Sequence, residues 1–385
     1  MKKNAWKLVG PLAGVVCPAI MLGQVPDLLN ALDTSGPSKG AGGAFAATQT
    51  GTHAPYNNPA ALGFTDKKLF GFDYGNLPRS FTNVSGVFDS PTMSTNGKIG
   101  DKTITHVGFV FPLGKPERNQ GNFGFTYTVG GYINDIESGS GLTSGGLTVN
   151  NFGQLLKSKT DFLTLAYGKS SSDGTFSWGL GVNYVLQTTQ VDRAGEFDDS
   201  NGNKVSNVTD PAIDDHGTGW NGVIGVLFNP KNSNASIGLS YRSETSLKGG
   251  KDFSGAYSKI PARFLGGITV RTDAVRKSDD YLVYGLQVEY FAKGAASPYF
   301  DRSQTQTNVS AGFEYNLSKF GGRIPVRLGY RGVQAGGVGF QSRNSITYGL
   351  GYRPNDSKFA LDLNFASPQG GGFDLTLGAT FQLDK

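Results

Sequence analysis

From residue 69 to residue 383 the chain returns again and again to a period of two. In FDLTLGATFQL, Phe373, Leu375, Leu377, Ala379, Phe381 and Leu383 share one face, while Asp374, Thr376, Gly378, Thr380 and Gln382 share the other. SITYGLGYR does the same, with Ile346, Tyr348, Leu350 and Tyr352 on one side and Ser345, Thr347, Gly349, Gly351 and Arg353 on the other. Successive side chains of a strand point to opposite faces, so this alternation predicts strands that are apolar on one side and polar on the other. About fourteen such runs occur. They lie near residues 66–76, 104–113, 121–134, 159–169, 175–190, 219–229, 233–245, 261–272, 280–293, 304–317, 323–333, 341–353, 357–366 and 373–383. Glycine and proline clusters separate them, and no repeat of 20 to 50 residues points to a propeller or solenoid.

A soluble sandwich and a membrane barrel both alternate in this way, and composition separates them. Only 17% of the 385 residues are charged, 12% are aromatic and 57 are glycine. A typical soluble protein has roughly 25% charged residues. After residue 24 no run approaches the roughly 20 apolar residues of a membrane helix. The charges inside strands (Asp73, Arg242, Arg271, Glu289, Glu314, Arg327, Arg331, Arg353, Asp362 and Asp374) all fall on the polar parity. So do Gly179, Gly181, Gly238, Gly285, Gly312, Gly329, Gly349, Gly351 and Gly378, which suits a crowded interior. Tyr74, Tyr167, Tyr184, Tyr290 and Tyr352 stand at strand ends, where aromatic girdles meet the membrane interface.

Connection lengths agree: residues 77–103, 135–158, 191–218 and 246–260 read as long outer loops, alternating with short turns such as SSSDG and PKNS. Thr376-x-Gly378-x-x-Phe381-x-Leu383 resembles the terminal-strand signal of the bacterial barrel-assembly machinery, although the chain ends in Asp384-Lys385 rather than an aromatic. The expected fold is all-β: a transmembrane antiparallel β-barrel of about fourteen strands in the bacterial outer membrane.

Residues 1–23 read as a secretory signal peptide, with Lys2, Lys3 and Lys7 ahead of the apolar stretch from Leu8 to Leu22. Val16 before Cys17 is too bulky for a lipidation site, so cleavage after Gly23 is expected to leave a chain without cysteine. The formal charge of +5 includes the three leader lysines, and nothing in it points to nucleic acid.

Residues 24–65 do not alternate. VPDLLNALD can form two helical turns, and TSGPSKGAGGAFAATQTGTHAPYNNPAALGF is too long for a turn and too poor in aliphatic residues for a domain. It can be a mobile tail or a plug folded into the lumen, where glycines permit tight paths and Asn-Pro fixes a turn. Its Ser35-Gly36 and Gly40 to Ala44 run, followed by Asn58-Pro59-Ala60, resembles the N-terminal hatch of the FadL-type long-chain fatty acid transporter family. YSKIPARFLGGITVR and IPVRLGYR resemble later strands of that family and of its secretion-associated PorV-type relatives. Where many relatives carry acidic residues between the hatch motifs, this chain has Thr48, Gln49, Thr50 and His53.

The resemblance implies a hatch over residues 24–65, with Gly40, Gly42, Gly43, Asn58, Pro59 and Ala60 as its fixed points, and a barrel over 66–385. It further implies passive uptake of long-chain fatty acids or other hydrophobic compounds, leaving sideways at a kinked third strand. The third strand here is GNFGFTYTVGGYIND, and its paired Gly130 and Gly131 invite a bulge and mark the candidate opening. In TVNNFGQLLKSK, Phe152, Leu155 and Leu156 suggest a short amphipathic helix that offers ligand a landing site, or a loop that plugs its own apolar side chains. A PorV-like barrel that anchors a secretion partner and a general diffusion porin are the alternatives.

Catalytic chemistry is not expected. His53, His106 and His216 lack metal-ligand spacing, and Asp214-Asp215-His216 reads as a solvated cluster. DDSNGN at 198–203 matches a calcium loop only loosely. No cofactor is expected. The partners expected are the outer-membrane bilayer, a hydrophobic small molecule and the assembly machinery.

Overall fold

The computed structural model describes residues 36–87, 90–114, 120–139, 142–144, 147–198, 204–249, 259–273, 275, 279–293, 305–334, 343–368 and 374–383. The leader, the VPDLLNALD segment and most of DDSNGN lie outside these residues. Fourteen long strands close into one antiparallel barrel. They are β1 (Lys68–Val87), β2 (Ser90–Pro112), β3 (Asn122–Gly139), β4 (Leu147–Ser170), β5 (Phe176–Asp198), β6 (Lys204–Phe228) and β7 (Ala235–Arg242). Then come β8 (Arg263–Asp273), β9 (Tyr281–Phe291), β10 (Gln306–Lys319), β11 (Gly322–Val333), β12 (Arg343–Pro354), β13 (Phe359–Pro368) and β14 (Asp374–Leu383). Each pairs with its neighbour in sequence, and β14 closes on β1 from Lys68↔Leu383 to Gly75↔Thr376.

The two faces are sorted as the alternation predicts, but inside out relative to a soluble protein. Leu286 is 62% exposed and Ile224 59% on the outer wall, whereas Asn183 and Asn364 are fully buried on the inner one. An outward apolar belt around a polar interior is the sorting a bilayer demands. Aromatic pairs edge the belt, with Tyr167–Trp178 and Tyr352–Phe359 toward the short turns and Tyr184–Trp220 higher up. Inside, Thr164, Asn183, Asn221 and Thr245 form a chain of side-chain hydrogen bonds, and Arg327 lies between Glu314 (2.5 Å) and Asp362 (2.7 Å). These pairings answer the cost of keeping polar groups away from water.

Three expected loops are strands. Residues 77–103 form a hairpin that pairs down to Val87↔Ser90. Segment 135–158 continues β3 and β4, and segment 191–218 continues β5 and β6. The sequence of these extensions lacks strict alternation, although the backbone ladder is kept. In the 246–260 connection the described residues make short pairings, Thr245–Ser246 with Lys259–Ile260 and Lys248–Gly249 with β6. The short turns are tight. In the β4–β5 turn, Ser171 and Thr175 donate to Asp173 and hold its carboxyl below the usual carboxylate range.

Candidate functional site

Residues 36–65 run through the lumen. A 3-10 turn (Gly36–Ala41), a one-turn α-helix (Ala54–Asn57) and a second 3-10 turn (Pro59–Phe64) are linked by turns, and nearly every residue is buried. No run is long enough to satisfy its own backbone, so inward side chains of the wall do so. Asn364 donates to Gly36 O, Thr347 to Gly40 O, Ser177 to Ala60 O and Ser240 to Asn57 O. Gln287 accepts from Ala47 N. Lys39 reaches Asp374 (2.8 Å) and Thr376 (2.7 Å).

Small residues on the polar parity are where this segment rests. A Cβ on Gly179 would fall on Pro59, on Gly238 on Ala47, on Gly312 or Gly329 on Ala41, and on Gly349 against Gly40. Gly181, Gly351 and Gly378 instead face wall side chains. Within the segment, Gly42 (φ 70°) and Gly43 (φ 86°) adopt left-handed backbone that other residues resist. Asn58 ties three pieces together: its oxygen accepts from Ala60 N (3.1 Å), and its amide donates to Ala47 O (2.7 Å) and Val226 O (3.2 Å). Pro59 begins the following turn, where its missing N–H costs nothing. The six hatch positions singled out in the sequence therefore all lie in this segment, against the wall or at its own turns.

On the β1–β4 side the wall is irregular. β2 and β3 pair only from His106↔Thr128 to Pro112↔Asn122. Beyond that, β3 meets the upper part of β1 in parallel from Ser80↔Asp135 to Val84↔Gly139. Between these ladders, among the described residues, Val129 to Asn134 have no ladder partner on the β2 side. Gly130 sits within this window at a bulge against β4, since pairing jumps from Val129↔Asp161 to Gly131↔Thr160. Side chains close the window: Leu77, Val129 and Tyr132 pack together, and Tyr132 donates to Asp101 (2.7 Å). Behind Gly130 stand the ring of Phe162 and the hydroxyl of Tyr56.

Below the window His53 bonds Asp73 (2.7 Å) and stacks on His106 at 3.8 Å, and His106 bonds Thr128 (3.0 Å). This group pins the lumenal segment where regular β2–β3 pairing ends. Arg242 lies over Phe162 and Tyr56, and Arg263 and Arg331 share Glu289. Asp73 and Arg242 were each legible as inward-facing, but their meeting with His53, His106 and Tyr56 had no local sequence signal.

Phe152, Leu155 and Leu156 belong to β4, not to a helix. Residues 148–159 are paired with β3 along most of their length and with β5 throughout, apart from one bulge. Two ladders outcompete a helix too short to be stable alone. Leu155 is half-buried opposite Ile136 and Asp192. Asp214 and His216 are exposed on β6 at 3.5 Å, so this pair is strand-borne rather than in a loop. Among the described residues no three His, Cys, Asp or Glu side chains converge as metal ligands.

A polar cavity of about 450 Å³ opens toward the short turns, between Ser38, Gln49, Thr52 and His53 of the segment and Glu314, Arg353 and Asp362 of the wall. An apolar depression of about 670 Å³ over Trp178, Leu180, Ile224, Leu239 and Phe264 lies on the outer wall and faces lipid rather than the lumen.

No family model and no curated protein sequence matches the chain. Solved structures do. A Pseudomonas aeruginosa FadL homologue superposes with a TM-score of 0.59 at 12% identity, covering 94% of this chain and 100% of its own. The Ralstonia pickettii toluene transporter TbuX gives 0.57 at 15% identity, covering 92% and 100%, and the P. putida toluene transporter TodX gives 0.56 at 12%, covering 90% and 98%. At these identities the likeness is one of fold, and it spans almost the whole chain: the protein has the fourteen-stranded β-barrel fold of the FadL homologue and of these toluene transporters.

Proposed function

We propose that the protein is an outer-membrane transporter for passive uptake of hydrophobic small molecules, long-chain fatty acids or aromatic hydrocarbons among them. The lumenal segment serves as the hatch, and ligand leaves sideways through the β3 window. The observation that carries this reading is the stretch from Val129 to Asn134, where side chains rather than a ladder join the β2 side of β3 to the wall and where Tyr56 of the lumenal segment stands behind Gly130. Parting the wall elsewhere would strand backbone N–H and C=O groups in hydrocarbon, at several kcal/mol for each group. Here those groups are already out of the ladder. The charged, plugged lumen suits neither bulk diffusion nor a catalytic role.

Mass spectrometry of small molecules retained through purification from native membranes tests the proposal. A near-stoichiometric amphiphile or hydrocarbon is expected, and it should be lost when residues 51–64 are deleted from a barrel that still shows heat-modifiable mobility. An empty barrel that carries a tightly bound protein would replace transport with the anchoring role.

A further inference from the structure

Holding a backbone in place does not require two histidines face to face, yet the lumenal segment meets the wall in that way. The rings of His53 and His106 lie 3.8 Å apart, centre to centre, and 18° from parallel. Nε2 of His53 is 2.7 Å from Asp73, and Nδ1 of His106 is 3.0 Å from the Thr128 hydroxyl. All three titratable groups are buried, His53 at 5% exposure, Asp73 at 3% and His106 at 0%. Glycines leave room for them: a Cβ on Gly378 would fall on Asp73, and one on Gly108 would fall on His106 and Thr52.

The other charges on this side of the lumen are committed elsewhere. Across the polar cavity that His53 lines, Glu314 and Asp362 pair with Arg327, and Arg353 reaches Asp362. Lys39 of the segment is held by Asp374 of β14. From β3 comes Thr128 and from β14 Thr380, both uncharged. One imidazolium beside Asp73 is therefore balanced, whereas a second would lie ring against ring with the first, and like charges that close repel. Imidazole gains its proton within the range from pH 8 to pH 5. The cavity opens toward the short turns, so water from that side reaches His53. His53 is also placed to move the segment. It caps the one-turn helix Ala54–Asn57, its carbonyl accepts from Asn57 N (3.2 Å), and that helix carries Tyr56 against Phe162.

We propose that His53, His106 and Asp73 form a proton-sensitive latch on the lumenal segment. At neutral pH the stack holds one charge at most and fastens the segment to β1 and β2. In acid both rings take a proton, the stack parts, and the residues around His53 come away from the wall. Acid favours the parted state because it binds one proton more than the latched one. The glycine shelves of β7 to β14 carry no titratable group and keep their hold. The latch concerns how the segment is fastened, so it goes beyond the transport reading and does not depend on it.

The test uses the full-length barrel in a non-ionic detergent, with Cys17→Ser and with Thr50→Cys carrying a nitroxide label. Thr50 is exposed within the segment, and its label reports mobility by electron paramagnetic resonance. The mobile fraction should rise about threefold or more from about pH 7.5 to about pH 5, and should fall again on return to neutral pH. His106→Gln, which takes no proton, should abolish that difference. Should this variant fail to assemble, His53→Gln reads the same difference, since either substitution removes one of the two charges. A mobile fraction that ignores pH in the otherwise unchanged barrel overturns the inference. So does a rise that persists at full size in either glutamine variant. A rise accompanied by loss of heat-modifiable gel mobility also overturns it, because the barrel rather than the latch is then responding. Each of these failures leaves the transport reading as it stands, since uptake is not what is measured.

Discussion

The lumenal segment meets two kinds of wall. Along β7 to β14 it rests on glycine shelves at Gly238, Gly312, Gly329 and Gly349, and the ladders from β8 to β14 run without a register shift. Along β1 to β4 glycines also touch it, Gly108 at Thr52, Gly124 at Pro55 and Gly168 at Pro59, but there it is joined as well to His106, Asp73 and Phe162 through His53 and Tyr56, and the ladders are bulged at Asp73/Tyr74, Asn76/Pro78 and Val129/Gly131. Backbone against backbone has little freedom to adjust, because glycine has no side chain that can swing aside. Rings and side-chain hydrogen bonds can rearrange without breaking a ladder. One side therefore anchors the segment and the other can yield, and on the reading proposed here that is the side where ligand leaves.

The largest expected effect lies on the anchoring side. Arg327 is buried between Glu314 and Asp362, and Arg353 reaches Asp362 from 3.4 Å. Removing one partner of a buried ion pair typically costs about 3–5 kcal/mol because the other charge stays buried. Arg327→Met should destabilise the barrel by that order in denaturant titration followed by gel mobility. A change near zero would mean that the β10–β13 wall is softer than its unbroken ladders imply.

Next comes Asn58, which joins the two turns of the segment to β6. At about 1 kcal/mol for each hydrogen bond, losing all three should loosen the segment by about 2–3 kcal/mol. In Asn58→Ala, trypsin should gain access to Lys39, which is buried in the folded protein at 5% exposure. Protection at Lys39 equal to the wild type would show that the glycine shelves alone hold the segment.

Much of this was legible in the sequence, for physical reasons. Alternation reports the membrane-spanning part of each strand because lipid and lumen impose opposite demands on its faces. The same logic located the inward glycines and charges. It failed in the extensions of β1 to β6, such as Gly86-Val87 and Ser90-Pro91, which are paired as strands although their sequence carries no periodic signal. It failed at Phe152 to Leu156, where a local apolar pattern was outweighed by ladders on both sides. Gly130 and Gly131 announced a bulge, but the missing β2 ladder was not visible, because it depends on β1 crossing to meet β3. Tyr56, Phe162 and Arg242 lie far apart in the chain and meet only once the barrel closes, and a single sequence carries no record of that meeting.

The yielding side is probed at Tyr132, whose ring packs on Leu77 and Val129 and whose hydroxyl holds Asp101. Tyr132→Ala removes side-chain contacts on the β2 side of β3, where there is no ladder to lose. It should speed whole-cell uptake of a hydrophobic probe several-fold without creating ion conductance in planar bilayers. Uptake that stays at the wild-type rate, with the variant present in the membrane at normal level, would argue against the β3 window as the route.

The smallest effect should come from the other bond at Asp101. Lys157 approaches the same carboxylate at 3.0 Å, but its side chain is 42% exposed and that of Asp101 is 47% exposed. Water screens such a pair, and exposed ion pairs of this kind contribute about 0–1 kcal/mol. Lys157→Ala should therefore leave denaturant stability within about 0.5 kcal/mol of the wild type. It should also leave uptake unchanged, because Tyr132 keeps its own bond to Asp101 and its packing on Leu77. The contrast with Arg327 is one of surroundings rather than of bond length, since both are cations bonded to carboxylates. If Lys157→Ala speeds uptake as Tyr132→Ala does, the closure of the window depends on the charge at Asp101 rather than on the apolar cluster beneath it.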